Sequence, residues 1–167
     1  MQLVTELECF DFEERKHVVE LAFELLQNEK TKASCDAALN DKGNQVVALF
    51  LKKYQKHDLC TYCGQYLRYF AQQENLIDNW QSMDLIKKLT SLVEHSDFNV
   101  SSDALETLQE LYLLERPRES SFHNFLSENK LAILETFSTL RASKPEDENY
   151  FAVRESLKLQ YQLLREE

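Results

Sequence analysis

Cys60-Thr-Tyr-Cys63 sets two thiols at a C-x-x-C spacing, the arrangement used for zinc ligation and for dithiol redox chemistry. A zinc centre needs a second ligand pair at a matched distance. Cys9 and Cys35 stand isolated, and only His57 lies nearby. Redox chemistry has some local support, since Asp58 as a helix cap would put Cys60 in a first turn, where thiolates are favoured. Thioredoxin-like folds need strands, however, and the chain has no strand pattern. Ordinary buried thiols are the expectation. His17, His57, His95 and His123 fall near helix ends or on polar faces, with no Ser or Cys nucleophile in a recognisable motif beside them. No catalytic residue, metal set or cofactor is expected, and an enzyme is the least favoured reading.

Binding chemistry is better represented. Tyr150, Arg154 and Lys158 recur at i, i+4 and i+8, so a helix would line them up as one stripe. Val153, Leu157, Gln160, Tyr161 and Leu164 form a neighbouring, mainly apolar stripe turned by about 100°. An aromatic followed by two cations suits a protein-binding face. Arg154 could instead pair with Asp103 or Glu106 of a preceding element, as ladders in stacked helices do.

The elements that position these residues read as helices throughout. Only 2 Gly and 2 Pro occur in 167 residues, far fewer than sandwiches or α/β folds need for their turns. Leu7 follows Leu3 and Val4 as the end of a helix. Asp11 with Glu14 resembles a capping box ahead of Val18, Val19, Leu21, Ala22, Leu25 and Leu26. A helix is expected after Gly43 through Tyr54, another from an Asp58 cap through Phe70, and one from a Ser82 cap through Val93. Val100 to Tyr112 continues the pattern. Pro117 fits a first helical turn before Phe122, Phe125 and Leu126, with a separate helix over Leu131, Ile133, Leu134 and Phe137. Trp80 and the Tyr62, Tyr66, Tyr69, Phe70 group read as core. Lys144-Pro145-Glu-Asp-Glu reads as an exposed loop before the last helix.

Four segments resemble one another. Each has an Asp or Asn (Asp11, Asp58, Asp97, Asn149), then an apolar or aromatic residue, then a core pair at a fixed offset: Val18-Val19, Gln65-Tyr66, Ala104-Leu105 and Ser156-Leu157. Their starts are 47, 39 and 52 residues apart, centred on the roughly 40–47-residue period of HEAT and armadillo repeats. An all-α, armadillo/HEAT-like right-handed helical solenoid is therefore expected, as one domain over residues 1–167. Such arrays present extended surfaces to other proteins. The formal net charge of −10 disfavours nucleic acid and anionic membrane as partners. No apolar stretch approaches the roughly 18 residues of a membrane helix. The first residues lack a signal-peptide pattern, so the four cysteines read as reduced thiols of a cytoplasmic protein.

Several stretches resemble a known family. Asp97-Phe-Asn-Val-Ser-Ser-Asp-Ala-Leu-Glu-Thr-Leu, Asn149-Tyr-Phe-Ala-Val-Arg-Glu-Ser-Leu-Lys-Leu, the opening Leu3-Val-x-x-Leu-x-x-Phe-Asp-Phe-Glu-x-x-Lys and Phe125-Leu-x-x-Asn resemble, in order, signatures of the calcium-binding protein 39 family, also called the mouse protein 25 family. The resemblance implies an armadillo-like solenoid with no enzymatic activity. It implies a scaffold whose concave face grips a sterile-20-type kinase or pseudokinase near its αC helix and stabilises the active conformation, as in a ternary assembly with a liver-type kinase. It places the concave contacts on Phe98, Tyr150, Arg154 and Lys158. Despite the family name, no EF-hand loop is present. The chain corresponds to roughly the middle half of the family pattern. The pocket for a Trp-Glu-Phe-like partner tail falls mostly beyond residue 167. Ala152-Val153 and Glu155 replace more basic or neutral residues and make the patch less basic. A rival expectation is a truncated helical-repeat adaptor without a kinase-activating role, its cut ends exposing apolar faces.

Overall fold

A computed structural model describes residues 6–113, 120–139 and 150–165, with the side chains of 139 and 150–152 outside that description. The described residues form seven α-helices and two short 3-10 turns, with no strand. The helices are α1 (Phe12–Gln27), α2 (Lys32–Lys53), α3 (Cys60–Gln72), α4 (Met83–Leu92), α5 (Phe98–Leu113), α6 (Ser121–Thr139) and α7 (Tyr150–Arg165). The Leu3, Val4, Pro117 and Lys144–Glu148 readings, and the Asn149 cap, lie outside the described residues. Leu7 is fully buried, but in a 3-10 turn, Leu7–Cys9.

Local chemistry explains the helix starts. Asp11 and Glu14 form the expected capping box, with Glu14 N donating to Asp11 Oδ1 at 2.9 Å and Asp11 N to Glu14 Oε2 at 3.0 Å. Asp97 caps α5, accepting from Asn99 N at 2.8 Å and Val100 N at 3.4 Å. Asp58 does not cap α3. Leu59 holds that position, and the Asp58 carboxylate pairs with Arg15 of α1 instead. Ser82 precedes α4 with extended backbone but makes no side-chain cap bond.

Two expected boundaries moved. α2 begins eleven residues before Gly43 and runs through it. A Cβ at Gly43 would collide with the Asn79 side chain, so the glycine lets the 3-10 turn Ile77–Trp80 close on α2. That close approach offsets the roughly 1 kcal/mol that glycine costs inside a helix. The two helices expected over 122–137 are one, α6. No Gly or Pro interrupts Ser127-Glu-Asn-Lys130, and Asn129 Nδ2 donates to Phe125 O at 2.8 Å without breaking the turn.

The helices stack in two rows. In one, α1, α3, α5 and α7 follow each other side by side. In the other, α2, α4 and α6 do the same, and each packs on neighbours of the first row. This is a helical-repeat array. Within the first row the helices α1, α3 and α5 run parallel. Phe23 stacks on Tyr66 at 4.8 Å and the Tyr69 hydroxyl donates to Leu26 O at 3.2 Å, so later residues of α1 meet later residues of α3. His57 meets Asp97, Arg68 meets Asp103, and Gln72 meets Glu110, which orders α3 against α5 in the same way. Trp80, Phe50, Tyr54, Tyr66, Phe122 and Phe137 anchor the core between the rows.

The expected core pairs survive only in part. Val19, Tyr66, Ala104, Leu105 and Ser156 are buried, but Gln65 and Leu157 are exposed. Leu21, Leu25 and Leu131 are exposed as well, because α1 and α6 each turn one apolar edge to solvent.

Candidate functional site

Cys60 and Cys63 are both buried, in successive turns at the start of α3. Burial pushes the Cys63 thiol up to about 12 and the Cys60 thiol upward too, the reverse of what a nucleophilic thiolate needs. Cys60 Sγ donates to His57 O at 3.2 Å. The thiols are the ordinary buried ones expected, since lying in a first turn does not offset the loss of solvent. Among the described residues no group of three or more His, Cys, Asp or Glu side chains is placed to hold a metal ion. No described helix is long and apolar enough to cross a membrane.

A polar junction between α3 and α5 holds the first row together. Asp103 of α5 accepts from the Tyr54 hydroxyl at 2.5 Å and from Arg68 Nη2 at 3.0 Å. Arg68 Nη1 also donates to Thr107 Oγ1 at 3.0 Å and lies 3.5 Å from Glu106. Burial alone would lower the Arg68 pKa, but attraction to Asp103 outweighs it and the guanidinium is held more firmly charged. Burial, then the Asp103 charge, pushes the Tyr54 hydroxyl well above its ordinary value. Gly64 lies beneath this junction, where a Cβ would overlap Asp103 Oδ2 and sit 2.8 Å from the Tyr54 hydroxyl. Asp103 and Glu106 thus serve Arg68, and the ladder foreseen for Arg154 is built one helix earlier in the row.

α7 carries the stripe. Arg154 and Lys158 sit one turn apart with side chains 50% and 56% exposed. Between them Glu155 is buried, its side chain only 8% exposed. Glu155 Oε1 accepts from Arg154 Nε at 2.7 Å and from Lys158 Nζ at 2.7 Å. Burial would raise the Glu155 carboxyl, but the bonds from Lys158 and Arg154 prevail and its pKa falls. A buried carboxylate therefore braces two solvent-facing cations. Tyr150 is the first residue of α7, and its side chain lies outside the description. Phe98 opens α5 and is 65% exposed, an uncommon setting for a large aromatic.

The neighbouring apolar stripe is packed only at one margin, where Val153 and Gln160 are half-buried. Glu155, Ser156 and Leu159 are buried, with Leu163 partly so, while Leu157, Tyr161 and Leu164 face solvent. α7 packs through Glu155, Ser156 and Leu159, with Val153 and Gln160 at the margin of that face. Small Ser156 lets it approach, with its hydroxyl donating to Val153 O at 2.9 Å. Arg165 lies over the Tyr161 ring, 5.4 Å from its centroid.

The Mo25-like family model matches residues 1–167. The chain belongs to the Mo25-like family. Calcium-binding protein 39-like from Homo sapiens is 26% identical over 162 residues, covering 97% of this chain and 46% of that protein. The protein of the same name from Mus musculus is likewise 26% identical over 162 residues. The degreening-related gene dee76 protein of Auxenochlorella protothecoides is 27% identical over 165 residues, covering 97% of this chain and 49% of that protein. The chain thus spans about half the length of the curated relatives it matches. No solved structure matches it. In this Mo25-like chain, Glu155 and the Tyr54–Asp103–Arg68 junction are the residues that sequence reading underrated. The i,i+3 spacing of Glu155 and Lys158 was the available signal for the first, and a glycine in mid-helix at Gly64 for the second.

Proposed function

We propose that this Mo25-like chain is a non-catalytic scaffold that binds a sterile-20-type kinase or pseudokinase, through the exposed surface of the α1–α3–α5–α7 row. The observation that carries this reading is the pair of solvent-facing cations, Arg154 and Lys158, braced on buried Glu155. Such bracing fixes two long side chains before binding, so less rotamer freedom is lost when a partner carboxylate arrives. Exposed Phe98 on α5 would supply rigid apolar area, and Tyr150 would extend the stripe. A scaffold of this kind activates by binding the active kinase conformation more tightly than the inactive one, and a ternary assembly with a liver-type kinase would follow the same logic. Its working location would be the cytoplasm.

A kinase-domain pull-down with Arg154→Ala and Tyr150→Ala tests the site. Loss of capture in both variants is expected. Capture equal to that of the unmodified chain in both would reject it. The alternative, a truncated helical-repeat adaptor without kinase activation, is favoured by the exposed apolar edge Leu157, Tyr161 and Leu164 on α7. Capture of the kinase without stimulation of its activity would select that alternative.

A further inference from the structure

Opposite charges face solvent on neighbouring helices of the first row. On the seam between α3 and α5, Arg68 is held by two carboxylates, Asp103 at 3.0 Å and Glu106 at 3.5 Å. One cation against two acids leaves one net negative charge. Asp103 is shielded, with its side chain 11% exposed, and it also accepts from the Tyr54 hydroxyl. The solvent-facing acid of the three is Glu106, at 62%. On α7 the balance is reversed. Buried Glu155 answers two exposed cations, Arg154 and Lys158, and one net positive charge is left over. In both places the inner charge is satisfied within the protein and the surplus stays on the outermost side chains.

Glu106 shares a surface with Phe98. At 100° per residue, Phe98, Ser102, Gln109 and Glu106 fall within about 80° of one another on α5. These groups lie on α3, α5 and α7, which pack directly on one another in the order of the row. Neighbouring helix axes are about 8–10 Å apart, so the acidic and basic sites are separated by about 10 Å across the row. A partner that rests on Phe98 must reach further than that ring. A buried aromatic supplies about 150–250 Å², against the roughly 800 Å² that each side of a stable complex buries. The adjoining ground on α5 is the strip of Ser102, Glu106 and Gln109, and a carboxylate covered without a cation to meet it is penalised.

With a kinase partner on this row as its basis, we infer that Glu106 is a specificity-determining residue of the binding face. It admits a partner that sets a Lys or Arg side chain against Glu106 and, about 10 Å along the row, an Asp or Glu against Arg154 and Lys158. It turns away a uniformly acidic surface, which the two cations by themselves would attract.

The affinity and association rate of the whole chain for an isolated sterile-20-type kinase domain, at about 50 mM and about 300 mM salt, test this. Three variants are compared, Glu106→Lys, the milder Glu106→Gln and Arg154→Gln/Lys158→Gln, each checked by a thermal melt. Glu106→Lys is expected to bind at least about tenfold more weakly at low salt, mainly through slower association, with a smaller loss at high salt. Glu106→Gln is expected to bind about threefold more weakly, in the same salt-dependent way. A packing defect would not produce a loss of association rate that salt reverses. Equal affinity of Glu106→Gln and the unmodified chain, beside weaker binding by the α7 variant, would overturn the inference and leave the kinase role standing. Failure of the unmodified chain to bind the kinase domain, or equal binding by all four proteins, would overturn the kinase role and this inference with it.

Discussion

Asp103→Ala is the most demanding test of how the first row is held. The substitution leaves Arg68, whose side chain is 13% exposed, without its carboxylate, and takes one partner from the fully buried Tyr54 hydroxyl. Losing a charge-assisted hydrogen bond at such a site costs about 1.5–3 kcal/mol. Breaking a fully buried ion pair costs about 3–5 kcal/mol. The lower part of the combined range applies, because Thr107 Oγ1 remains 3.0 Å from both Arg68 and the Tyr54 hydroxyl and Glu106 remains 3.5 Å from Arg68. A loss of about 2–4 kcal/mol is expected, or roughly 4–16 °C in Tm for a chain of this size. Differential scanning calorimetry with chemical denaturation reads it. A double-mutant cycle with Arg68→Met should show coupling of at least about 1 kcal/mol, since Met leaves no stranded cation. A Tm shift below about 2 °C, or additive single effects, would refute the junction as drawn.

Three further outcomes follow from the structure. Gly64→Ala should destabilise by about 1–3 kcal/mol despite the better helix propensity of alanine, because its methyl displaces Asp103; a stabilised variant in urea titration would contradict that close approach. Glu8, held down to about 2 by bonds from Lys53 and then Lys56, is depressed in the folded chain relative to its ordinary 4.5. Its stabilisation is therefore complete above about pH 4.5 and lost as pH falls towards 2, so the stability gap between the unmodified chain and Glu8→Gln should be constant above that window and shrink within it. A gap unchanged at pH 2 would exclude the pairing. In the native state a small thiol reagent should label exposed Cys9 rapidly and Cys60 and Cys63 only on unfolding; native labelling of all three at equal rates would contradict their burial.

The all-α class and most helices were legible in the sequence because they rest on signals of long range: scarce turn residues and apolar periodicity. The Asp11–Glu14 capping box was legible because it is complete within four residues. Asp58 was not, since its partner Arg15 lies 43 residues away and only folding brings them together. The packed face of α7 was legible only in part: Leu159 is buried as an apolar residue should be, but Ser156 and a Glu155 compensated by its neighbours are buried beside it, while Leu157, Tyr161 and Leu164 stay exposed. Arg154 and Lys158 were placed on the surface by spacing alone, but the carboxylate that braces them had read as a loss of basic charge.

The most direct test of the scaffold reading is the equilibrium affinity of this chain for an isolated sterile-20-type kinase domain, measured by biolayer interferometry with and without Arg154→Glu/Lys158→Glu. Inverting the pair also strands buried Glu155 among like charges, so circular dichroism and a thermal melt accompany the measurement, and Arg154→Gln/Lys158→Gln, whose amides can still donate to Glu155, serves as the milder variant. The account predicts measurable binding by the unmodified chain and a loss of about a hundredfold or more in the variant, as expected when hot-spot cations become like charges. Equal affinity of the two proteins would contradict the proposed binding face.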